Sequence, residues 1–270
     1  MNQSHLLRKR LLAILAYAVM IIAALIVIYP IYSAVNISLL KDTEVAQYPP
    51  RLFPSSLNLA NFTRALEQAP LPRYLLNSII QSLLVMIGQL ITASLAAYAF
   101  AFLNFKGRNF FFLVFMATMM IPWEATIIPN YLTIKQLGWT DSFQGLAVPF
   151  LATGFGTFLL RQFFLKIPRD LYDAAVMDGC SNFRFLTTIV VPLARPALGT
   201  LAVYSFLQTY NQYLWPLLIT NDESMRTVQI GIALLQDEER LMFNTVLAGV
   251  VIILIPTFLL FIFSNRQLIR

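Results

Sequence analysis

Along the 270 residues, long apolar runs alternate with short polar stretches. A helix needs roughly 20 apolar residues to cross about 30 Å of hydrocarbon, and six runs offer them, at about 11–35, 74–103, 110–132, 143–164, 192–219 and 243–263. The runs are continuous rather than alternating at every second position, which excludes the short strands of a membrane barrel. The pattern therefore predicts an all-α chain: a six-helix transmembrane bundle, one domain over 1–270. The first run follows Arg8-Lys9-Arg10, as a signal peptide would. It stays apolar well beyond a signal core of about 7–15 residues, so it is read as an uncleaved first span.

The polar interruption between the fourth and fifth runs, 168–191, has its own punctuation. Pro168 opens a short helix, Asp170 and Asp173 lie toward its positive end, and Gly179 stops it, each a favoured position for that residue type. Ser181 then stands where it can cap a second short helix running toward Val191. A helix-turn-helix between spans is placed to meet something outside the bilayer. On the other side, 36–73 carries Pro49, Pro50, Pro54, Pro70 and Pro72, which break regular structure. Within it, a short interfacial helix is predicted over Asn58 to Ala69 with Asn61 as its cap. In the second span Ala93, Ala97 and Ala101 recur every fourth residue, a stripe that lets another helix approach closely.

Composition agrees with a membrane chain: 58% of residues are hydrophobic, 12% are charged, and the mean hydropathy is +0.69, against about 25% charged in a soluble domain. Of the 19 Lys and Arg, 12 fall on the side holding the termini and 168–191. Basic residues concentrate in short cytoplasmic loops, so both termini and that segment are placed on the cytoplasmic side of the membrane. The net charge of +6 then reflects topology and implies no nucleic-acid partner. Cys180 and His5 are single, which leaves no disulfide and no metal site. No GxxxxGK[ST] phosphate loop occurs, so the chain is expected to bind no cofactor and any ATP chemistry must come from a partner.

Polar residues within spans are costly and mark candidate pathways. Asn77, Gln81, Thr118, Glu124, Tyr210, Asn211, Gln212, Tyr213 and Trp215 form that set. Amides and phenols offer paired donors and acceptors and aromatic rings offer flat faces, the chemistry for binding hydroxyl-rich solutes. An intramembrane hydrolase is disfavoured because no Asp lies in a span. A self-contained secondary transporter or channel using Glu124 is the alternative reading; against it stand the helical insert and the lack of an evident inverted repeat.

The run Asp173-Ala174-Ala175-Val176-Met177-Asp178-Gly179, with Phe185, Pro192-Leu193 and Pro196, resembles the signature of permease subunits of binding-protein-dependent ABC importers. Asn77-Ser78, Met120-Ile121-Pro122, Phe158 to Phe164 and Asn211 to Leu217 extend the likeness, which is closest to the carbohydrate group and its maltose/glycerol-3-phosphate type. The resemblance implies a type I importer permease, a heterodimer with a second six-span permease in membrane lipid. Two ABC ATPase subunits carrying ATP and Mg would bind beneath, and an extracytoplasmic solute-binding protein would deliver a carbohydrate or polyol-type solute. It also implies that Leu171, Asp173, Ala174, Ala175, Asp178 and Gly179 couple to an ATPase. The family's usual glutamate is here Asp173, which keeps the charge and shortens the reach.

Overall fold

The computed structural model describes residues 3–47, 51–237 and 243–268. Among them every regular element is helical. The order is α1 (Gln3–Ser38), α2 (Asp42–Val45), α3 (Ala60–Gln68), α4 (Leu71–Phe102), α5 (Arg108–Ala117), α6 (Trp123–Gln136), α7 (Phe143–Ala147), α8 (Gly154–Phe164) and α9 (Arg169–Met177). It continues with α10 (Asn182–Phe185), α11 (Val191–Leu193), α12 (Arg195–Tyr210), α13 (Leu214–Ile219), α14 (Val228–Asp237) and α15 (Phe243–Leu268). One π-helical segment, Leu186–Val190, joins α10 to α11.

Three helical stretches are unbroken and apolar enough to cross a bilayer: Lys9–Ser38, Leu71–Phe102 and Phe243–Leu260. The others are bent pairs. Arg108–Met120 meets Trp123–Gln136 at 95°, Phe143–Phe150 meets Gly154–Phe164 at 47°, and Asn182–Leu193 meets Arg195–Tyr210 at 83°. Proline accounts for two of these bends. Ile121 is extended as the residue before Pro122, because proline's ring disfavours a helical predecessor. Pro196, near the start of α12, has no N–H and would clash with a carbonyl one turn earlier if the helix ran on. The second bend is re-nucleated by Thr153, whose Oγ1 accepts from the Gly156 N–H at the start of α8.

The chain forms two units. One comprises 1–69 and 234–254 and the other 70–233 and 255–270. In the first, Asn61 is not a helix cap. It is fully buried inside α3, its Nδ2 donates to the Ser38 and Leu40 carbonyls at 2.8 Å each, and its Oδ1 accepts from Arg64 at 2.9 Å. It thus satisfies carbonyls left open at the end of α1. The local cap of α3 is supplied by Asn58, whose Oδ1 accepts from the Ala60 N–H. Asp42 accepts from Asn244 at 2.8 Å and from Arg64 at 3.1 Å. These bonds, Asn244 first and then Arg64, hold its carboxyl below the ordinary aspartate value. A depressed pKa adds stability that is complete above the unfolded value and disappears as pH falls through the folded one. Hydrogen-exchange protection of 39–47 and 51–69 is therefore expected to stay level down to about pH 4 and to fall below it; Asp42→Asn should lower protection at neutral pH and flatten that dependence.

In the second unit, α4 is the central rod. Ala93, Ala97 and Ala101 are buried in a cluster with Leu160 and Phe164 of α8 and Ala197 and Leu201 of α12. The small-residue stripe is therefore an intrachain seam.

Candidate functional site

A cavity of about 650 Å³ opens in the second unit. Three interruptions of helix line it: Thr118, Met119, Trp123 and Glu124 around the first bend; Phe150, Ala152, Thr153 and Gly154 around the second; Gln212, Tyr213, Leu214 and Trp215 where α12 gives way to α13. Irregular backbone at membrane depth is tolerated where it borders a polar cavity. The regular elements contribute Gln89 from α4 and Tyr204, Ser205, Gln208 and Thr209 from α12. Residues 204, 208 and 212, with 205 and 209 beside them, follow the helical i, i+4 spacing and form one polar face.

Part of the lining is fixed by hydrogen bonds. Gln89 donates to the Phe150 carbonyl at 2.8 Å and accepts from the Ser205 hydroxyl at 2.5 Å, tying α4 to α12 and to the second break. Trp215, 1% exposed, donates from Nε1 to the Gly145 carbonyl at 3.1 Å. Its ring meets Trp123 and Phe150 edge-on, with centroids at 5.6 and 5.9 Å, a favoured aromatic geometry. Gly145 is required beside it, because a Cβ there would stand 2.1 Å from the Trp139 carbonyl oxygen.

Of the candidate pathway residues, Thr118, Glu124, Gln212, Tyr213 and Trp215 line this cavity. Gln81 is buried behind it, its Nε2 donating to Gln212 Oε1 at 3.0 Å. Asn77 is buried elsewhere and donates to the Ser224 and Arg226 carbonyls at 2.8 and 2.9 Å. With Tyr74 bonded to Glu223 and Ser78 accepting from the Val228 N–H, it clasps the segment before α14. Tyr210 is buried and stacked on Phe206, while the exposed Asn211 accepts from Gln229 at 3.2 Å. Neither borders the cavity.

The helix-turn-helix spans α9 to α11. α9 ends in a Schellman turn: the Gly179 N–H reaches the Val176 carbonyl at 3.0 Å and the Cys180 N–H the Ala175 carbonyl at 2.8 Å. Gly179 takes φ +73, the left-handed region that glycine enters without strain. Ser181 then caps α10, accepting from the Arg184 N–H. The outer face of α9 presents Leu171, Asp173, Ala174, Met177 and Asp178, with Met177 87% exposed. Ala175 does not share that face, being buried within the chain's own core.

The inner face is a polar and aromatic lock. Asn182 Oδ1 accepts from Tyr98 of α4 at 3.0 Å and from Tyr172 of α9 at 3.2 Å. Phe185, 1% exposed, packs its ring against Phe102 and Tyr172 at 5.4 and 5.3 Å. α4 therefore joins both features. Tyr98 lies nine residues from Gln89, about 13–14 Å along a helix.

Residues 60–268 match the family described as binding-protein-dependent transport system inner membrane component. This chain belongs to that family. It is 35% identical to the sn-glycerol-3-phosphate transport system permease protein UgpE of Yersinia enterocolitica, over 97% of this chain and 96% of the relative. Against the protein of the same name from Agrobacterium fabrum the identity is 34%, over 95% and 94%. A chain of a bacterial ABC transporter involved in the import of the acidic polysaccharide alginate superposes with a TM-score of 0.84, covering 98% of each chain at 23% identity. That likeness shows the fold. An inner membrane component of this kind is a permease subunit and not itself an ATPase.

Proposed function

We propose that this permease carries a carbohydrate or polyol-type solute, glycerol 3-phosphate-like compounds included, through an ATP-driven importer. The reading rests above all on the outer face of α9, where Leu171, Val176 and Met177 stand exposed beside Asp173 and Asp178. Apolar side chains on a polar segment are the composition of a protein interface. An ATPase subunit seated there, with ATP and Mg, would move α9, and the Asn182 lock would pass that movement to α4 and the cavity. A second permease chain would complete the pathway, and an extracytoplasmic protein would deliver the solute. The basic-residue count supports cytoplasmic termini.

The experiment is uptake into proteoliposomes holding the complete complex. Uptake should require hydrolysable ATP and the binding protein. Uptake driven by an ion gradient alone, lost in Glu124→Gln, would favour the secondary-transporter reading instead.

A further inference from the structure

Away from the cavity, the turn between α4 and α5 gathers cations and aromatic rings with no acid among them. α4 is one of the unbroken apolar stretches, so the turn that follows it emerges at a membrane face. Phe102 packs against Tyr172 with ring centroids 5.7 Å apart, which puts that face on the side of α9. The turn encloses a shallow hollow of about 570 Å³, bordered by Asn104, Phe105, Lys106, Arg108 and Phe110 among others. Arg161 of α8 reaches the same end of α4: its Nε donates to the Phe100 carbonyl at 3.3 Å and its guanidinium lies 4.0 Å over the Phe112 ring. Arg108 donates from one η nitrogen to the Leu103 carbonyl at 3.2 Å and is close enough to Arg161 for the two charges to repel each other. Lys106 is exposed. Among the described residues no carboxylate forms an ion pair with Lys106, Arg108 or Arg161.

We propose that Lys106, Arg108 and Arg161 bind the phosphate of an anionic phospholipid, with Phe105, Phe110 and Phe111 seated among its acyl chains. Like charges held together at a membrane margin are costly unless an anion lies between them. Here the chain provides none, and phosphate oxygens match guanidinium N–H groups in pairs. The carbonyl and ring contacts of Arg161 hold its guanidinium from behind, and its η nitrogens have no hydrogen-bond partner among the described residues. A free phosphate would satisfy the cations and leave the aromatics unexplained. Phe105, Phe110 and Phe111 are exposed at the level where an apolar span ends, and basic side chains at that level meet headgroups while apolar ones meet acyl chains. Bound there, the lipid fixes the end of α4 that Tyr98 and Phe102 lock to the helix-turn-helix.

The experiment is photo-crosslinking of the full chain, purified with the subunits that accompany it and carrying p-benzoylphenylalanine in place of Phe110. The protein is reconstituted in nanodiscs of equal parts phosphatidylglycerol and phosphatidylcholine with the same acyl chains, and the adducts are identified by mass spectrometry. Both leaflets offer the same lipids, so the result does not depend on which side faces the cytoplasm. Phosphatidylglycerol adducts should exceed phosphatidylcholine adducts by more than about tenfold, each cation contributing about fivefold. Lys106→Gln, which alters an exposed side chain without a partner, should lower the ratio about fivefold. Arg161→Gln should lower it at least as far, and Arg184→Gln, an exposed cation elsewhere on the same side, should leave it unchanged. Inorganic phosphate added at millimolar concentration should not change the ratio. Equal adducts of the two lipids, adducts to a protein subunit in place of lipid, an equal loss in Arg184→Gln, or competition by inorganic phosphate would each overturn the proposal.

Discussion

Gly179→Pro is expected to abolish solute uptake while leaving the chain inserted in the membrane, and to reduce the ATPase recovered with it to a small fraction. The backbone at this position has φ +73, whereas proline fixes φ near −65° and lacks the N–H that reaches the Val176 carbonyl. The turn from α9 to α10 cannot form around it, at a cost of about 3 kcal/mol or more. Gly179→Ala is the graded control. A Cβ there has open space around it, so only the left-handed backbone is penalised, by about 1–2 kcal/mol, and partial uptake should remain. Asp173→Lys tests the same surface by charge, reversing an exposed carboxylate without touching the turn. It should lower ATPase recovery and leave the fold intact. Normal uptake with normal ATPase recovery in Gly179→Pro or Asp173→Lys would show that α9 is not the coupling element.

The second large effect is expected at Phe185. Its ring is enclosed by Tyr98, Phe102 and Tyr172, so Phe185→Ala removes packing worth about 3–5 kcal/mol for a buried phenylalanine. The helix-turn-helix would then move without carrying α4 with it. The expected result is ATP hydrolysis that continues in the assembled complex but no longer drives uptake. Phe185→Leu keeps most of the volume and should retain intermediate coupling, which separates a mechanical role from a simple failure to fold. Coupled uptake at the parental rate in Phe185→Ala would remove the aromatic lock from the transmission path.

The sequence carries the helices and hides where they break. Six apolar runs are visible because membrane burial demands length and hydrophobicity together. The run at 110–132 nevertheless conceals a 95° bend, signalled only by Pro122, and the break before Thr153 follows a single turn of helix that contains Pro149. The helix-turn-helix is legible to within a residue or two, since Pro168, Gly179 and Ser181 act through local backbone chemistry. Ala175 is not, because composition does not say which face of a nine-residue helix turns inward; its spacing from Tyr172, one turn away, is the signal. Asn61 escapes a sequence reading for a different reason. Its partners are the Ser38 and Leu40 carbonyls, more than twenty residues away, and no local rule finds them.

The cavity shows the same division. Glu124, Gln212 and Trp215 are conspicuous in an apolar run, whereas Thr153, Ser205 and Thr209 are not, because short hydroxyls are inexpensive in membrane helices. Their periodicity with Tyr204, Gln208 and Gln212 would expose the polar face of α12. Asn77 and Gln81 are polar in the second span for framework reasons: each is a buried amide whose donors close backbone or side-chain acceptors. A buried polar group without such partners would be costly, so polarity within a span marks structure as readily as it marks a pathway.

In the function proposed above, this chain works only as the membrane half of an ATP-driven assembly. Purification of a tagged copy from its native membrane in mild detergent, followed by mass spectrometry of what accompanies it, decides whether it does. An ATPase and a second six-span permease are expected in stoichiometric amounts, with the ATPase lost from Gly179→Pro. A stable homo-oligomer of this chain alone, transporting solute without ATP, would contradict it.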